Sequence, residues 1–327
     1  MNTRFGWGIL GPGRIATKFA THLERLPEAT LVAVGSRSAA RAREFAQQYG
    51  ARHSYGSYAG LVADPDVDAV YVATPHPFHK EHAVLCLQHG KAVLCEKPMA
   101  VNERQVRDMV ECARESGVFL MEAMWTRFIP VVVRVRQWLR EKAIGDVRMV
   151  TADFGFRTGW DPQARLLDPD LAGGALLDVG VYTVAFASMV FGKPPAEILA
   201  SAHIGQTGID EQTGMLFRYE DGALALLSCA VRTNTPQEAR IQGTEGSIHV
   251  PAFWHATSAV LQVKGQEPLH ISDTAGYQYE AAEVISCTRA GKTESPSMPL
   301  DESIAIARTM EQVRALIGLT YPMENMD

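Results

Sequence analysis

The stretch Phe5-Gly6-Trp7-Gly8-Ile9-Leu10-Gly11-Pro12-Gly13-Arg14-Ile15-Ala16 runs from an apolar, strand-like hexamer directly into a glycine-rich turn and then a helical start. It contains G-x-G-x-x-A at Gly11, Gly13 and Ala16. The first glycine permits a tight strand-to-helix turn, the second lets the backbone approach a pyrophosphate, and a small third residue lets the helix pack close to the sheet. A pyrophosphate would rest on the helix N-terminus, where unpaired N–H groups and the helix dipole favour an anion. Gly11, Gly13, Arg14 and Ile15 are therefore dinucleotide-binding candidates. An ordinary glycine-rich turn is the competing reading; the position at a strand end, with another strand about 20 residues on, favours the nucleotide.

Outward from this turn, short apolar runs alternate with stretches long enough for crossover helices: LVAVGS, AVYVAT, AVLCE and VFLMEA, up to about Met124. This rhythm predicts a parallel sheet buried on both faces. After about Thr126 one amphipathic helix is expected over Val131–Lys142, followed by period-2 runs VRMVTADFGF, ILASAHIG, ALALLSCAV, SIHV and AVLQV. Turn dipeptides such as Asp221-Gly222 and Glu245-Gly246 separate these runs, so a large, mostly antiparallel, open-faced sheet is expected. Tyr277–Ala290 and Leu300–Ile317 both show helical spacing, and Asp301 and Glu302 suit the start of the second. The expected division is an α/β dinucleotide-binding domain over 1–124 and an α+β domain over 125–327, whose C-terminal helix can pack back on the first.

A chain of 327 residues accommodates two domains, and 46% apolar with 21% charged residues is a globular composition. Net charge −6 argues against nucleic acid or an anionic membrane as partner. Cys86, Cys95, Cys112, Cys229 and Cys287 are odd in number, widely spaced and without C-x-x-C, which reads as buried thiols in a reducing cytoplasm. The start lacks a basic segment followed by an apolar one, and no run of about 18 apolar residues is read anywhere, so no membrane partner is expected.

The second strand ends Val34-Gly35-Ser36-Arg37-Ser38, with Arg41 a helical turn further and no acid until Glu44. An NAD site usually places a carboxylate here for the ribose 2′-hydroxyl, whereas Ser36, Arg37 and Arg41 suit a 2′-phosphate. NADP(H) is expected over NAD(H), against the bland reading of a solvated basic patch. Cys95-Glu96-Lys97-Pro98 places a lysine at the carboxyl edge of the sheet, where ligands of open α/β sheets bind, and the proline can be cis. A solvent-facing lysine is the alternative. Gly173-Gly174-Ala175-Leu176-Leu177-Asp178-Val179-Gly180-Val181-Tyr182 sets Asp178 and Tyr182 four apart, on one face if helical, after two glycines that let the backbone approach another body.

Through GILGPGRIA, SRS, ATPHPFHKEHA, EKP and GGALLDVGVY, the chain resembles the Gfo/Idh/MocA oxidoreductase family, from Gly6 almost to its end. EAMWTRF, LLDVGVY and IGLTYP resemble its dihydrodiol dehydrogenase and NADP-dependent D-xylose dehydrogenase branch, in agreement with Tyr182 where many members carry histidine. The resemblance implies an N-terminal Rossmann domain, with Lys97 and Tyr182 flanking the reacting carbon and Asp178 holding or tuning the pair. It also implies that Trp125, Phe154 and Trp254 wall the substrate, and that Thr74, Pro75 and His76 run beside the cofactor ribose, next to Glu96 and Lys97. His79 is expected to pack or cap locally.

The chemistry is consistent with those roles. Hydride transfer to a carbonyl carbon requires a proton for its oxygen, and a phenol becomes a usable proton donor when an ammonium stabilises its ionised form. Lys97 can also hydrogen-bond the substrate oxygen as charge develops. Metal is not needed and none is expected. The expected activity is NADP-dependent interconversion of hydroxyl and carbonyl on a small sugar, polyol or cyclic trans-diol, by a homodimer joined through the C-terminal sheet. The alternative is a non-catalytic dinucleotide-sensing regulator of the same fold. It would have no use for a lysine and a tyrosine both directed at the nicotinamide.

Overall fold

The computed structural model describes residues 4–325. They divide into two compact units, residues 4–125 with 276–304 and residues 126–275 with 305–325. A single cut near residue 124 thus differs from what is seen, because Gly276–Ile304 returns to the first unit. The reason lies at the sheet edge: Leu120 N–H donates to Thr293 O at 3.1 Å, and the helix Gln278–Arg289 buries Ala281, Val284 and Ile285.

In the first unit β1 (Phe5–Leu10), β2 (Ala29–Gly35), β3 (His53–Tyr55), β4 (Ala69–Val72), β5 (Ala92–Glu96) and β6 (Leu120–Ala123) make one sheet, ordered β3-β2-β1-β4-β5-β6. Every pairing in it is parallel. β1, β4, β5 and β6 are buried along their whole length, as two-sided apolar runs require. β1 lies between β2 and β4, so the strand order reverses at its carboxyl end, where open α/β sheets leave a ligand crevice. Gly11 stands at that point with φ +93, and a Cβ there would come within 2.8 Å of Thr74 Cγ2.

In the second unit the helix Pro130–Arg140 precedes β7 (Val147–Gly155), and a continuous helical segment, Leu176–Phe191, precedes the rest of the sheet. β8 (Glu197–Ile204), β9 (Asp210–Arg218), β10 (Leu224–Ala230), β11 (Ala239–Gly243), β12 (Gly246–Val250), β13 (Ser258–Val263) and β14 (Leu269–Ser272) complete it. The order is β14-β13-β12-β11-β7-β10-β9-β8, antiparallel except between β7 and β10. Leu176–Phe191 packs on β7 and β10 and covers one face. On the other face the register lines up Leu199, Leu216 and Leu226, with Leu199 55% and Leu226 43% exposed. Pro169–Phe191 is, contrary to the sequence reading, apolar and long enough to cross a membrane, but 78% of its apolar window is buried in the protein, which marks a core element.

Candidate active site

The nucleotide half is built on the turns that follow β1, β2 and β4. Gly13 precedes the helix Arg14–Leu23, whose N-terminus has no side-chain cap, and a Cβ at Gly13 would meet nothing within 4 Å. Uncapped amides facing open space are what a pyrophosphate needs, and Arg14 and Ile15 form the turn beside them. At the end of β2, Ser36 is buried while Arg37 and Arg41 are exposed. The first turn of the following helix, Ala39–Tyr49, holds no acid, and its cap is Ser38, whose hydroxyl accepts from Arg41 N–H. Arg37 sits 6.0 Å from the Phe78 ring centre, and its charge helps lower His82 to about 4, mainly an effect of burial. This strand end is rich in donors, and the helical turn that follows it carries no carboxylate.

Thr74, Pro75 and His76 follow β4, with Thr74 and His76 buried. Thr74 Oγ1 lies 3.0 Å from His82 Nδ1. His79 takes a larger part than local packing: fully buried, it places Nε2 2.7 Å from Thr74 O and Nδ1 2.9 Å from Pro98 O. Burial lowers its pKa to about 4, so the ring is neutral at pH 7 and donates from one nitrogen. The ring stands between the turn after β4 and the turn after β5, hydrogen-bonded to one of the two carbonyls; in the second turn Lys97 is half-buried and the Lys97–Pro98 peptide is cis. Glu96 is buried, accepts from the Tyr71 hydroxyl, and takes the Lys97 N–H at 3.1 Å on Oε2. Burial, then Glu96, drives the Tyr71 phenol upward and the completely buried Glu280 carboxyl likewise. Trp125 belongs to this unit and stacks on Tyr277, ring centres 4.4 Å apart and planes 17° from parallel.

In the second unit two of the other predicted residues, Tyr182 and Trp254, pack around Phe154. Its ring lies 5.5 Å from Tyr182 and stacks on Trp254 at 4.8 Å. Trp254 Nε1 donates to Gln237 Oε1 at 2.8 Å, and the Gln237 N–H donates to Asp153 Oδ2 at 2.6 Å, so the indole is tied to the strand carrying Phe154. Asp178 stands on a π-helical turn, Leu176–Gly180, that passes into the helix Val181–Phe191 bearing Tyr182. Such turns recur at functional sites because they redirect side chains. Arg165 Nη2 donates to Asp178 Oδ1 at 2.8 Å; the Asp178 side chain is 10% exposed and that of Arg165 38%. Nothing in the spacing announced Arg165, the contact of His79 with Pro98 or Gln237 behind Trp254, because each works through a partner 13 to 19 residues away. Among the described residues no group of three or more His, Cys, Asp and Glu could hold a metal ion.

Residues 5–124 match the oxidoreductase family with an NAD-binding Rossmann fold, and residues 132–249 match the Gfo/Idh/MocA C-terminal domain. The trans-1,2-dihydrobenzene-1,2-diol dehydrogenase of Mus musculus is 42% identical over 329 residues, covering 97% of this chain and 98% of that one. An aldose–aldose oxidoreductase from Caulobacter crescentus, complexed with glycerol, superposes with a TM-score of 0.88 at 25% identity, covering 96% and 97% of the two chains. A 3-ketoreductase from Actinomadura kijaniata, in complex with NADP and TDP-benzene, gives 0.85 at 25% identity, covering 96% and 98%. The chain belongs to the Gfo/Idh/MocA oxidoreductase family. Within it, the protein is an NAD(P)-dependent dehydrogenase.

Proposed function

We propose that the protein interconverts a secondary hydroxyl and a carbonyl on a small cyclic trans-diol, sugar or polyol, using NADP(H). The observation that carries this reading is the Phe154 cluster, in which the ring of a buried tyrosine shares one aromatic wall with Trp254 while the preceding helical turn holds an aspartate paired to Arg165. An aromatic wall suits the flat face of a six-membered ring, and the likeness to dihydrobenzenediol dehydrogenases points to the same substrate class. Gly11, Gly13, Arg14 and Ile15 would hold the pyrophosphate, Ser36, Arg37 and Arg41 the 2′-phosphate, and Thr74, Pro75, His76 and Glu96 the nicotinamide ribose. Trp125 would close the substrate wall from the nucleotide half.

When bound, the nicotinamide supplies or receives the hydride. In the oxidising direction Tyr182 Oη takes the hydroxyl proton as the C–H bond breaks; in the reducing direction the same atom returns it to the carbonyl oxygen. Lys97 would hold its ammonium against that oxygen, favouring the ionised phenol and the developing oxyanion. Asp178, fixed by Arg165, would orient the proton-transfer group and help retain the lysine charge there. No metal takes part in this scheme. The exposed leucine row on the second sheet supports a homodimer formed through that face, which a monomeric mass in sedimentation at micromolar concentration would contradict. Five free cysteines suit the cytoplasm.

The test is an initial-rate screen at 340 nm with NADP+ and NAD+ against trans-1,2-dihydrobenzene-1,2-diol, D-xylose, other aldoses and inositols. Turnover of a vicinal diol or aldose with NADP+ preferred supports the reading. Tight NADPH binding with no turnover of any of them would replace it with a cofactor-sensing role.

A further inference from the structure

Asp210, the first residue of β9, is completely buried. Its Oδ2 accepts from the Leu176 N–H at 2.8 Å and from Thr213 Oγ1 at 2.7 Å. The N–H groups of Ala175 and of Asp210 itself also face the carboxylate. Gly174 makes room for it: its φ is +110, and a Cβ there would stand 2.2 Å from Asp210 Oδ1. A side chain at 174 is thus opposed both by the backbone conformation and by the acid. Tyr321 closes the turn from another side, its hydroxyl donating to Gly173 O at 2.6 Å. A carboxylate from the sheet is therefore inserted at the start of the helical turn that carries Asp178 two residues on and Tyr182 six residues on from Leu176.

We propose that Asp210 is a positioning residue for proton transfer: its carboxylate caps the first turn of the Leu176–Tyr182 segment and so sets where the Tyr182 hydroxyl and Asp178 point. The proposal rests on Tyr182 being the proton-transfer group. A charged acceptor binds helix-start amides more strongly than a neutral one, so the cap is tightest when Asp210 is ionised. The titratable groups facing it are the Cys229 thiol from β10 and the Tyr321 phenol, both kept protonated by burial and by Asp210 itself, with Arg314 and Glu324 behind Tyr321. Burial, partly offset by those hydrogen bonds, raises the Asp210 pKa to about 7. Proton uptake by this one group would loosen the cap just below neutral pH.

The test compares wild type, Asp210→Asn, Thr213→Val and Tyr182→Phe, with NADP+ and the faster of trans-1,2-dihydrobenzene-1,2-diol and D-xylose. Asp210→Asn should lower kcat about tenfold with KM and NADPH affinity within about twofold, as for a group acting through geometry. The wild-type fall in kcat below about pH 7 should be absent in Asp210→Asn. In Thr213→Val it should move to higher pH, because a hydrogen bond favouring the carboxylate has gone. Asp210→Asn with wild-type kcat and an unchanged acid limb overturns the proposal. If that variant does not fold, an unmoved limb in Thr213→Val does so. Tyr182→Phe separates the two readings: if it is inactive while Asp210→Asn behaves as wild type, only the Asp210 role fails, whereas an active Tyr182→Phe removes the reading on which that role rests.

Discussion

Asp210 also makes a stability prediction that needs no substrate. Its carboxyl moves from an ordinary value of 3.8 to about 7 on folding, chiefly through burial. A group whose folded pKa is raised stabilises the fold fully below the unfolded pKa, and that stability is lost as pH rises through the folded pKa. Roughly three pK units correspond to about 4 kcal/mol over the whole range, of which about 2 kcal/mol falls between pH 5.5 and 8. Asp210→Asn lacks this titration but keeps every other one, so the difference between variant and wild type isolates it. By calorimetry on the cofactor-free protein, Asp210→Asn should gain about 2 kcal/mol on wild type between pH 5.5 and 8. For domains of this size that is a relative shift of about 4–8 °C in Tm. Parallel pH dependences in the two proteins would show that Asp210 does not titrate over that range.

Arg37→Asp replaces a fork that suits a 2′-phosphate with an acid that suits a 2′-hydroxyl. The NADP+/NAD+ ratio of kcat/KM should fall at least tenfold, and an unaltered ratio would place the phosphate elsewhere. Arg165→Met takes the guanidinium away from the nearly buried Asp178; kcat/KM should drop about tenfold or more with NADPH fluorescence binding unchanged, and wild-type rates would remove Arg165 from the site. Phe154→Ala removes the ring on which both Tyr182 and Trp254 pack. It should cost about 3–5 kcal/mol of stability in denaturant unfolding and raise KM for a cyclic diol, while a loss under about 1 kcal/mol would show the cluster to be loosely packed.

What the sequence made legible was local. GILGPGRIA shows its turn because strand, glycines and helix start are contiguous, and the uncapped helix at Arg14 bears this out. Leu300–Ile317 is found with the bounds expected, whereas the helix expected to Lys142 ends at Arg140, since Lys142 adopts φ 53. β9 escaped notice because two of its inward positions are Asp210 and Thr213, which hide the period-2 pattern. β11 shows only Ala239 and Ile241 inward, β3 is three residues long, and β14 has no buried side, so none offers a readable alternation. The site divides in the same way. Phe154, Trp254 and Tyr182 were nameable from the resemblance, but Arg165 on Asp178 and Asp210 on Leu176 are pairs separated by 13 and 34 residues. Only a fold brings them together.

Pre-steady-state hydride transfer in Tyr182→Phe beside Lys97→Met, each saturated with NADP+ and diol, isolates the part the Tyr182 hydroxyl plays in proton transfer. Removing a general acid–base group costs about 10²–10⁴-fold. Both variants should lose at least about a hundredfold in the transfer rate while titrating NADPH with wild-type affinity. A Tyr182→Phe protein that transfers hydride within a few fold of wild type would exclude the Tyr182 hydroxyl as the proton-transfer group.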